Sequence, residues 1–119
     1  MVRDRLELGR SGEQLAAEHL HANGYVILAR NWRCREGELD LVAATSTLLV
    51  VAEVKTRSGR EFGAPAEAVT ADKAARIRWL AVRWRQEQGL RWCPLRFDVI
   101  AVDWPPVGTG RLRHIEGAF

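Results

Sequence analysis

The chain has few lysines, few cysteines and no long apolar run, and each shortage excludes a class of protein. No apolar segment approaches the roughly 20 residues that a membrane-spanning helix needs, and the first five residues lack the apolar core of a signal peptide. Cys34 and Cys93 lie far apart without the spacing of a zinc site or a disulfide framework, so we expect free thiols. These absences predict a cytoplasmic protein without a membrane segment.

The composition is that of one small globular domain that carries a basic excess. The 119 residues have room for a single core, so we expect one domain over residues 1–119, and the apolar fraction of 47% argues against disorder. The net charge of +3 favours a polyanionic partner such as nucleic acid. Only Lys55 and Lys73 are lysines among the 18 basic residues. Because the pKa of lysine moves readily on burial, unlike that of arginine, these two positions are candidates for chemistry.

One of these lysines belongs to the most informative motif of the chain. Glu53-Val54-Lys55 follows Asp40 in two apolar segments that are typical of a β-hairpin. Side chains alternate along a strand, so Glu53 and Lys55 should share one face while Val54 points to the other. The sequence therefore predicts two carboxylates and an ammonium group close together.

Two interpretations fit this motif. Paired carboxylates suit Mg²⁺ or Mn²⁺, hard cations that take oxygen ligands, and a lysine beside them could orient a water for metal-assisted phosphodiester hydrolysis. Alternatively, Asp40, Glu53 and Lys55 form a solvated ion pair on an exposed hairpin. The apolar residues around Asp40 and Glu53 favour the first interpretation, because buried acids need a cation to offset desolvation and mutual repulsion.

The remaining pattern predicts an α/β fold with the order αβββαββ. Ser11 and Gln14 resemble a capping box, and Asn23-Gly24 a helix end. Thr70 is a candidate N-cap. We expect helices over 11–23 and 71–88, strands over 25–29, 38–44, 48–57, 95–103 and 111–116, a basic turn over 31–37, an exposed loop over 58–65 and a turn over 105–110. This order is typical of a mixed sheet with a helix on each face.

The landmarks along nearly the whole chain resemble those of the YraN-type family of small bacterial proteins. They are Gly12-Glu13, Gly24-Tyr25, Asn31-Trp32-Arg33, Gly37-Glu38-Leu39-Asp40-Leu41-Val42, Glu53-Val54-Lys55-Thr56-Arg57, Lys73 and Arg96-Phe97-Asp98-Val99. That family in turn resembles the PD-(D/E)XK nuclease superfamily, in its branch with the Holliday-junction resolvases. The resemblance implies a restriction-endonuclease-like three-layer α/β/α fold with a central mixed sheet.

The resemblance also implies roles for individual residues. Glu13, Asp40 and Glu53 would hold the metal, Lys55 would be the catalytic lysine, and the carbonyl of Val54 would be a further ligand. The chain departs from the superfamily motif at one position, because Leu39 rather than proline precedes Asp40. Glu13 has a plain alternative as a solvated acid in the first turn of a helix.

Several basic and polar residues are candidates for contacts with nucleic acid. Lys73 and Arg76 lie one helical turn apart and could bind a phosphate, or simply form a solvated face. Arg57 could contact substrate or neutralise the acids, and Asn31 and Arg33 flank a tryptophan in the predicted basic turn. We expect all of Trp32, Trp79, Trp84 and Trp92 in the core, a structural role for Asp98, and no role for the histidines.

These expectations predict a Mg²⁺- or Mn²⁺-dependent endonuclease that acts on DNA, on branched or single-stranded structures. Two alternatives stay open: a nucleic-acid-binding protein of DNA repair or uptake without turnover, and an RNase that uses the same site. Monomer and homodimer both remain compatible with the sequence.

Overall fold

The computed structural model describes residues 5–58, 69–104, 108 and 110–119, and its elements follow the predicted order αβββαββ. They are α1 (Arg5–Ala22), β1 (Val26–Cys34), β2 (Gly37–Ala44), β3 (Leu49–Arg57), α2 (Ala71–Glu87), β4 (Leu95–Asp103) and β5 (Arg111–Ile115). The chain is thus an α/β protein, and the predicted strand bounds from β2 onwards are correct to within one residue.

The five strands form one mixed sheet in the order β1-β2-β3-β4-β5. Only β3 and β4 are parallel, paired from Leu49↔Leu95 to Arg57↔Asp103, and α2 lies in the crossover between them. The other neighbours are antiparallel. The parallel pair requires a connection across one face of the sheet, which explains why α2 covers that face.

Each helix buries a separate apolar cluster against one face of the sheet, as predicted. On the α2 face, Ile77, Leu80 and Trp84 pack against strand residues such as Val42 and Val51. On the α1 face, the cluster consists of Ala16, Ala17, Leu20, Leu41, Ala43, Ala52, Ile100 and Val102. Residues of β3 alternate between the two clusters, so the central strand is buried on both sides.

Local capping sets the start of α2. The Thr70 side chain accepts a hydrogen bond from the Lys73 backbone N–H at 3.1 Å, which satisfies one of the unpaired donors of the first turn. At the other end, Gly89 has a φ of 64°, a conformation that glycine adopts without steric strain. The predicted N-cap and helix are therefore confirmed to within one residue.

The prediction was wrong for the start of the first helix. α1 begins at Arg5, so Ser11 lies inside the helix and does not cap it. Gly12 has a packing role there, because a Cβ at this position would collide with the side chain of Thr56 on β3. Glycine is a poor helix former, and this close approach of helix to sheet is the reason for its presence.

The prediction was also wrong for the basic turn. β1 continues through Asn31, Trp32 and Arg33 to Cys34, which pairs with Gly37, so the turn consists of Arg35 and Glu36. Asn31 has a φ of 50°, which disturbs the alternation of the strand and makes its end difficult to recognise in the sequence.

Two other predictions lie wholly or partly outside the described residues. Of the loop over 58–65 only Ser58 is described, and of the turn over 105–110 only Gly108 and Gly110. Cys34 and Cys93 are free thiols, as expected. Neither described helix is long and apolar enough to cross a membrane.

Candidate functional site

Asp40 lies where β2 and β3 stop pairing. Their ladder runs from Ala44↔Leu49 to Leu41↔Ala52 and includes no pair beyond that point. Past this end, Asp40 Oδ2 accepts a hydrogen bond from the Val54 backbone N–H at 2.8 Å. This buried carboxylate is therefore fixed between two diverging strands, beside the side chains that β3 presents next.

Glu53 and Lys55 share the α2 face of β3, and α2 adds a second lysine to them. Glu53 Oε1 lies 2.6 Å from Lys73 Nζ and 3.4 Å from Lys55 Nζ. Glu53 is buried, whereas the two lysines are partly exposed. The structure thus brings the predicted Asp40, Glu53 and Lys55 together, and it places Lys73 in direct contact with the acid rather than on a solvated face.

We call these two acids, Asp40 and Glu53, the carboxylate pair, and the charge of Glu53 acts on Asp40. Burial, followed by the charge of Glu53, raises the pKa of Asp40 to about 7, while the Val54 N–H opposes this rise. Asp40 is also close enough to Glu53 for the two to share a hydrogen bond when one of them is protonated. Two carboxylates held together in this way offer the oxygen ligands that a hard divalent cation prefers.

The pKa values of the two lysines beside the carboxylate pair shift in opposite directions. Burial and the neighbouring Lys73 lower the pKa of Lys55. Burial alone would lower the pKa of Lys73 as well, but the hydrogen bond to Glu53 outweighs it and the pKa rises. As pH rises, Lys55 therefore loses its proton more readily than Lys73.

A pocket of about 230 Å³ opens over the carboxylate pair between α2 and the start of β2. Gly37 allows the two elements to approach, since a Cβ there would stand 3.1 Å from Leu80 Cδ1. The pocket is lined by Gly37, Glu38, Asp40, Glu53, Lys73, Arg76, Ile77 and Leu80. Arg76 therefore borders the acids, and its contact with a phosphate stays a prediction.

The other predicted metal ligands are Val54, whose backbone N–H donates to Asp40, and Glu13. Glu13 on α1 is close enough for its charge to add to the raised pKa of Asp40, but it lines a different depression, together with Asn31 and Arg33. Within the described ranges, no three His, Cys, Asp or Glu side chains form a ready-made ligand group. The part of Glu13 as a ligand, and that of the Val54 carbonyl, stay predictions.

Besides Asn31, two predicted nucleic-acid contacts lie on strands. Arg33 is exposed and forms an ion pair with Glu38 at 2.8 Å. Arg57 ends β3, where its backbone carbonyl accepts a hydrogen bond from the Trp104 N–H at 2.7 Å. Neither residue lines the pocket over the carboxylate pair, so their contacts with nucleic acid also stay predictions.

The site lies within a region that matches a known family. A family profile described as "Uncharacterised protein family UPF0102" matches residues 12–102. The match runs from the close-packed Gly12 through the carboxylate pair to Val102, near the end of β4. The chain belongs to the UPF0102 family. This finding confirms the expected YraN-type family.

Relatives within UPF0102 align over almost their full length. A UPF0102 protein of Frankia alni is 56% identical over 99% of this chain and 98% of its own. A UPF0102 protein of Frankia casuarinae is 55% identical, with 99% and 100% covered, and one of Clavibacter michiganensis is 48% identical, with 99% of both chains covered. The names of these UPF0102 proteins state no activity, so function has to be argued from the site.

A second group of polar residues, which we call the Asp98 network, lies on the α1 face of the sheet. Asp98 is fully buried and accepts hydrogen bonds from Arg96 at 2.8 and 2.9 Å, from the Gly117 N–H at 3.0 Å and from His114 Nε2 at 2.7 Å. His114 Nδ1 in turn lies 3.1 Å from His19 Nε2. The hydrogen-bonding role of Asp98 is confirmed, and His19 and His114, to which the sequence assigned nothing, extend this network.

Two tryptophans that were expected in the core are on the surface. Trp79 is 52% exposed and Trp92 is 74% exposed, whereas Trp84 is buried as predicted. Trp79 falls outside the stripe Ala74, Ile77, Ala81 and Trp84 that faces the sheet. The helical periodicity could have revealed this exposure, because hydrophobicity alone does not place a residue inside.

Proposed function

We propose that this chain is a divalent-metal-dependent nuclease of the restriction-endonuclease-like type, which hydrolyses phosphodiester bonds in DNA. The observation that carries the proposal is the carboxylate pair, buried on a mixed sheet under a pocket that Lys73 and Arg76 also line, and beside a lysine with a lowered pKa. The five-stranded mixed sheet, covered by one helix on each face, is compatible with the three-layer α/β/α fold of that superfamily.

In this proposal Asp40 and Glu53 hold Mg²⁺ or Mn²⁺, and Glu13 joins them from α1. Such an ion, when bound, acts as a Lewis acid on the phosphate and lowers the pKa of a bound water. The hydrogen bond from the Val54 N–H keeps the Asp40 carboxylate oriented toward the pocket side of the gap between β2 and β3. Lys55, on the same face as Glu53, orients the attacking water or accepts its proton, for which its lowered pKa is suited.

Lys73 has a role of its own in this scheme. Its ammonium group contacts Glu53 at 2.6 Å and neutralises that acid before a divalent cation enters. With Glu53 engaged in holding a cation, Lys73 would contact the substrate phosphate together with Arg76, which lines the same pocket. The same amine would thus pair with Glu53 in the metal-free protein and with substrate in the metal-loaded one.

The test is cleavage of labelled branched, flapped, single-stranded and duplex DNA with and without Mg²⁺ or Mn²⁺. Asp40→Asn, Glu53→Gln and Lys55→Ala should each reduce cleavage by about 100-fold or more, the loss that is usual when a transition-state contact is removed. Glu38→Gln is the matched control, because Glu38 lines the same pocket but pairs with Arg33. Cleavage that is unchanged in all three variants would refute the proposal.

A second candidate function is nucleic-acid binding without turnover. It is favoured by the ion pairs that already neutralise Glu53 without a metal. It predicts salt-sensitive binding that survives removal of the acids, because phosphate neutralisation by arginine and lysine needs no divalent cation. Substrates that differ only in the 2′-hydroxyl would separate an RNase from a DNase that uses this site.

A further inference from the structure

Trp79 stands next to the pocket over the carboxylate pair. Arg76 lines that pocket, and Trp79 follows it by three residues, which is about 4.5 Å along a helix and close to the same side. More than half of its surface is exposed, although tryptophan is one of the most apolar surfaces a chain can present. An aromatic ring is therefore available next to the pocket for contact with a ligand that extends beyond it.

One arginine of α2, Arg83, lies over this ring and links the helix to the β1–β2 turn. The Arg83 guanidinium lies over the Trp79 ring at 5.7 Å from its centroid and forms an ion pair with Glu36 of the β1–β2 turn at 2.6 Å. That ion pair joins α2 to the turn, in which Arg35 is the exposed neighbour of Glu36. Arg35 and Arg76 form no ion pair within the part of the chain that the structure describes.

We infer that Trp79, with Arg76 and Arg35, forms a binding surface for single-stranded nucleic acid, on which an unpaired base stacks while the arginines contact the flanking phosphates. The inference rests on the proposed function, since it names the form of nucleic acid that reaches the same pocket. An exposed aromatic ring can stack on a base, and the guanidinium groups of Arg76 and Arg35 can contact the flanking phosphates. An apolar protein partner would leave those guanidinium groups without a partner. In a duplex the bases are already stacked, so this surface selects single-stranded segments.

Trp92 provides a matched control within the same chain. It is also exposed, and an arginine, Arg85, also lies over its ring, at 5.7 Å. It follows the C-terminal end of α2, away from the pocket that Lys73 and Arg76 line at the helix start. Removal of the Trp92 ring therefore reduces the exposed aromatic area without changing the proposed binding surface.

The experiment is fluorescence anisotropy of labelled single-stranded oligonucleotides with the full chain in EDTA, so that no cleavage interferes. Trp79→Ala should weaken binding by about 5- to 100-fold, corresponding to the loss of one stacked base, while Trp79→Phe should restore most of it. Trp92→Ala should bind like the unaltered protein. Arg76→Gln should weaken binding and reduce the salt dependence by about one phosphate contact, whereas Trp79→Ala should leave that dependence unchanged.

An abasic oligonucleotide separates stacking from charge. With its bases removed, the unaltered protein and Trp79→Ala should bind equally, because the ring no longer has a stacking partner. Equal affinity of the two proteins for the normal oligonucleotide would overturn the inference. So would a loss in Trp79→Ala that persists on the abasic strand, or a dimer in sedimentation that Trp79→Ala converts to monomer, which would identify the surface as a contact between copies.

Failure of this inference can be told apart from failure of the proposed function. If Trp79→Ala binds normally while Asp40→Asn abolishes metal-dependent cleavage, the nuclease proposal stands and the stacking surface is wrong. If Trp79→Ala loses binding but no metal supports cleavage by the unaltered protein, the surface stands and the nuclease proposal is wrong.

Discussion

The carboxylate pair and the Asp98 network are both buried acidic sites, yet their surroundings have opposite effects. At Asp98, burial would raise the pKa, but hydrogen bonds from Arg96, the Gly117 N–H and His114 outweigh it and the pKa falls. At Asp40, burial and Glu53 act together, and the pKa rises to about 7. Hydrogen bonds that lower the pKa of a buried acid suit a structural role, whereas a raised pKa beside a second acid is typical of functional sites and motivates the proposed cation site.

The cations that accompany the two sites also differ. Arg96 binds Asp98 through two nitrogens, at 2.9 and 2.8 Å, and its guanidinium also donates to the Tyr25 hydroxyl at 2.7 Å. Lys73, whose side chain is 37% exposed, contacts Glu53 through one ammonium group. A two-point arginine contact fixes its partner, while a single flexible lysine can be displaced. The comparison thus separates a permanent ion pair from a replaceable one.

The largest expected effect is on stability, and it comes from breaking the Asp98 network. Asp98→Ala removes the acceptor of four hydrogen bonds and leaves Arg96 without its principal partner. We expect a loss of about 3–5 kcal/mol in the free energy of unfolding, as for other buried pairs that lose one member. Chemical denaturation measures this, with Glu38→Ala as the exposed-acid control, expected to lose less than about 1 kcal/mol. Equal losses in both variants would contradict a structural role that is specific to Asp98.

Asp40→Asn should change the free energy of unfolding in the opposite direction, by stabilising the protein. Because the folded pKa of about 7 lies above the ordinary value of 3.8, the folded state binds the extra proton, and stability falls as pH rises between these values. Without divalent cations, the Asn variant should be more stable than the unaltered protein above about pH 7, by on the order of 1–4 kcal/mol. Below pH 4 the gain should vanish. Thermal melting across this range checks the prediction, and a variant that is less stable at high pH would refute it.

Lys73→Met tests whether a divalent cation has to displace Lys73 from Glu53, in contrast to the fixed contact of Arg96 with Asp98. Methionine removes the ammonium group that contacts Glu53 at 2.6 Å, so a divalent cation no longer has to displace it. We expect Mn²⁺ to bind about 3- to 10-fold more tightly, which is on the order of 1 kcal/mol. Calorimetric titration with Mn²⁺ measures the affinity, and Arg76→Gln serves as the control for loss of a positive charge in the same pocket. Weaker Mn²⁺ binding in Lys73→Met would mean that Lys73 supports the cation instead of competing with it.

The smallest effect concerns the outer end of the Asp98 network. Burial, and then the charge of His114, lower the pKa of His19, so its protonation destabilises the fold as pH falls below 6.5. His19→Gln should lose about 0.5 kcal/mol at high pH, through the weakened contact with His114. The difference should shrink below pH 6.5, because the variant has no imidazole to protonate. Melting curves of both proteins at several pH values would show this, and a gap that widens in acid would contradict it.

The order of elements and the carboxylate pair could be predicted because their signals are local. Asp40 and Glu53 interrupt apolar segments, and Thr70 and Gly89 mark the ends of a helix with a regular apolar stripe. The contact of Lys73 with Glu53 could not be read in the same way, because it depends on how the crossover returns α2 over the sheet.

The Asp98 network escaped prediction for the same reason. Arg96 and Asp98 lie two residues apart on a strand, which could have suggested their pairing. His114 and His19, by contrast, meet only because β5 and α1 pack together across 95 residues of sequence. The end of β1 was missed because the backbone of Asn31 departs from regular strand geometry, which a side-chain pattern does not reveal.

The most direct test of the central claim is the position of a bound ion. Crystals soaked in Mn²⁺ and measured for anomalous scattering should show one strong peak between the carboxylates of Asp40 and Glu53, with Lys73 turned away from Glu53. The peak should be absent in crystals of Asp40→Asn soaked in the same way. Saturating Mn²⁺ that leaves this position empty in the unaltered protein, with Lys73 still paired to Glu53, would contradict the claim that the carboxylate pair is a divalent-cation site.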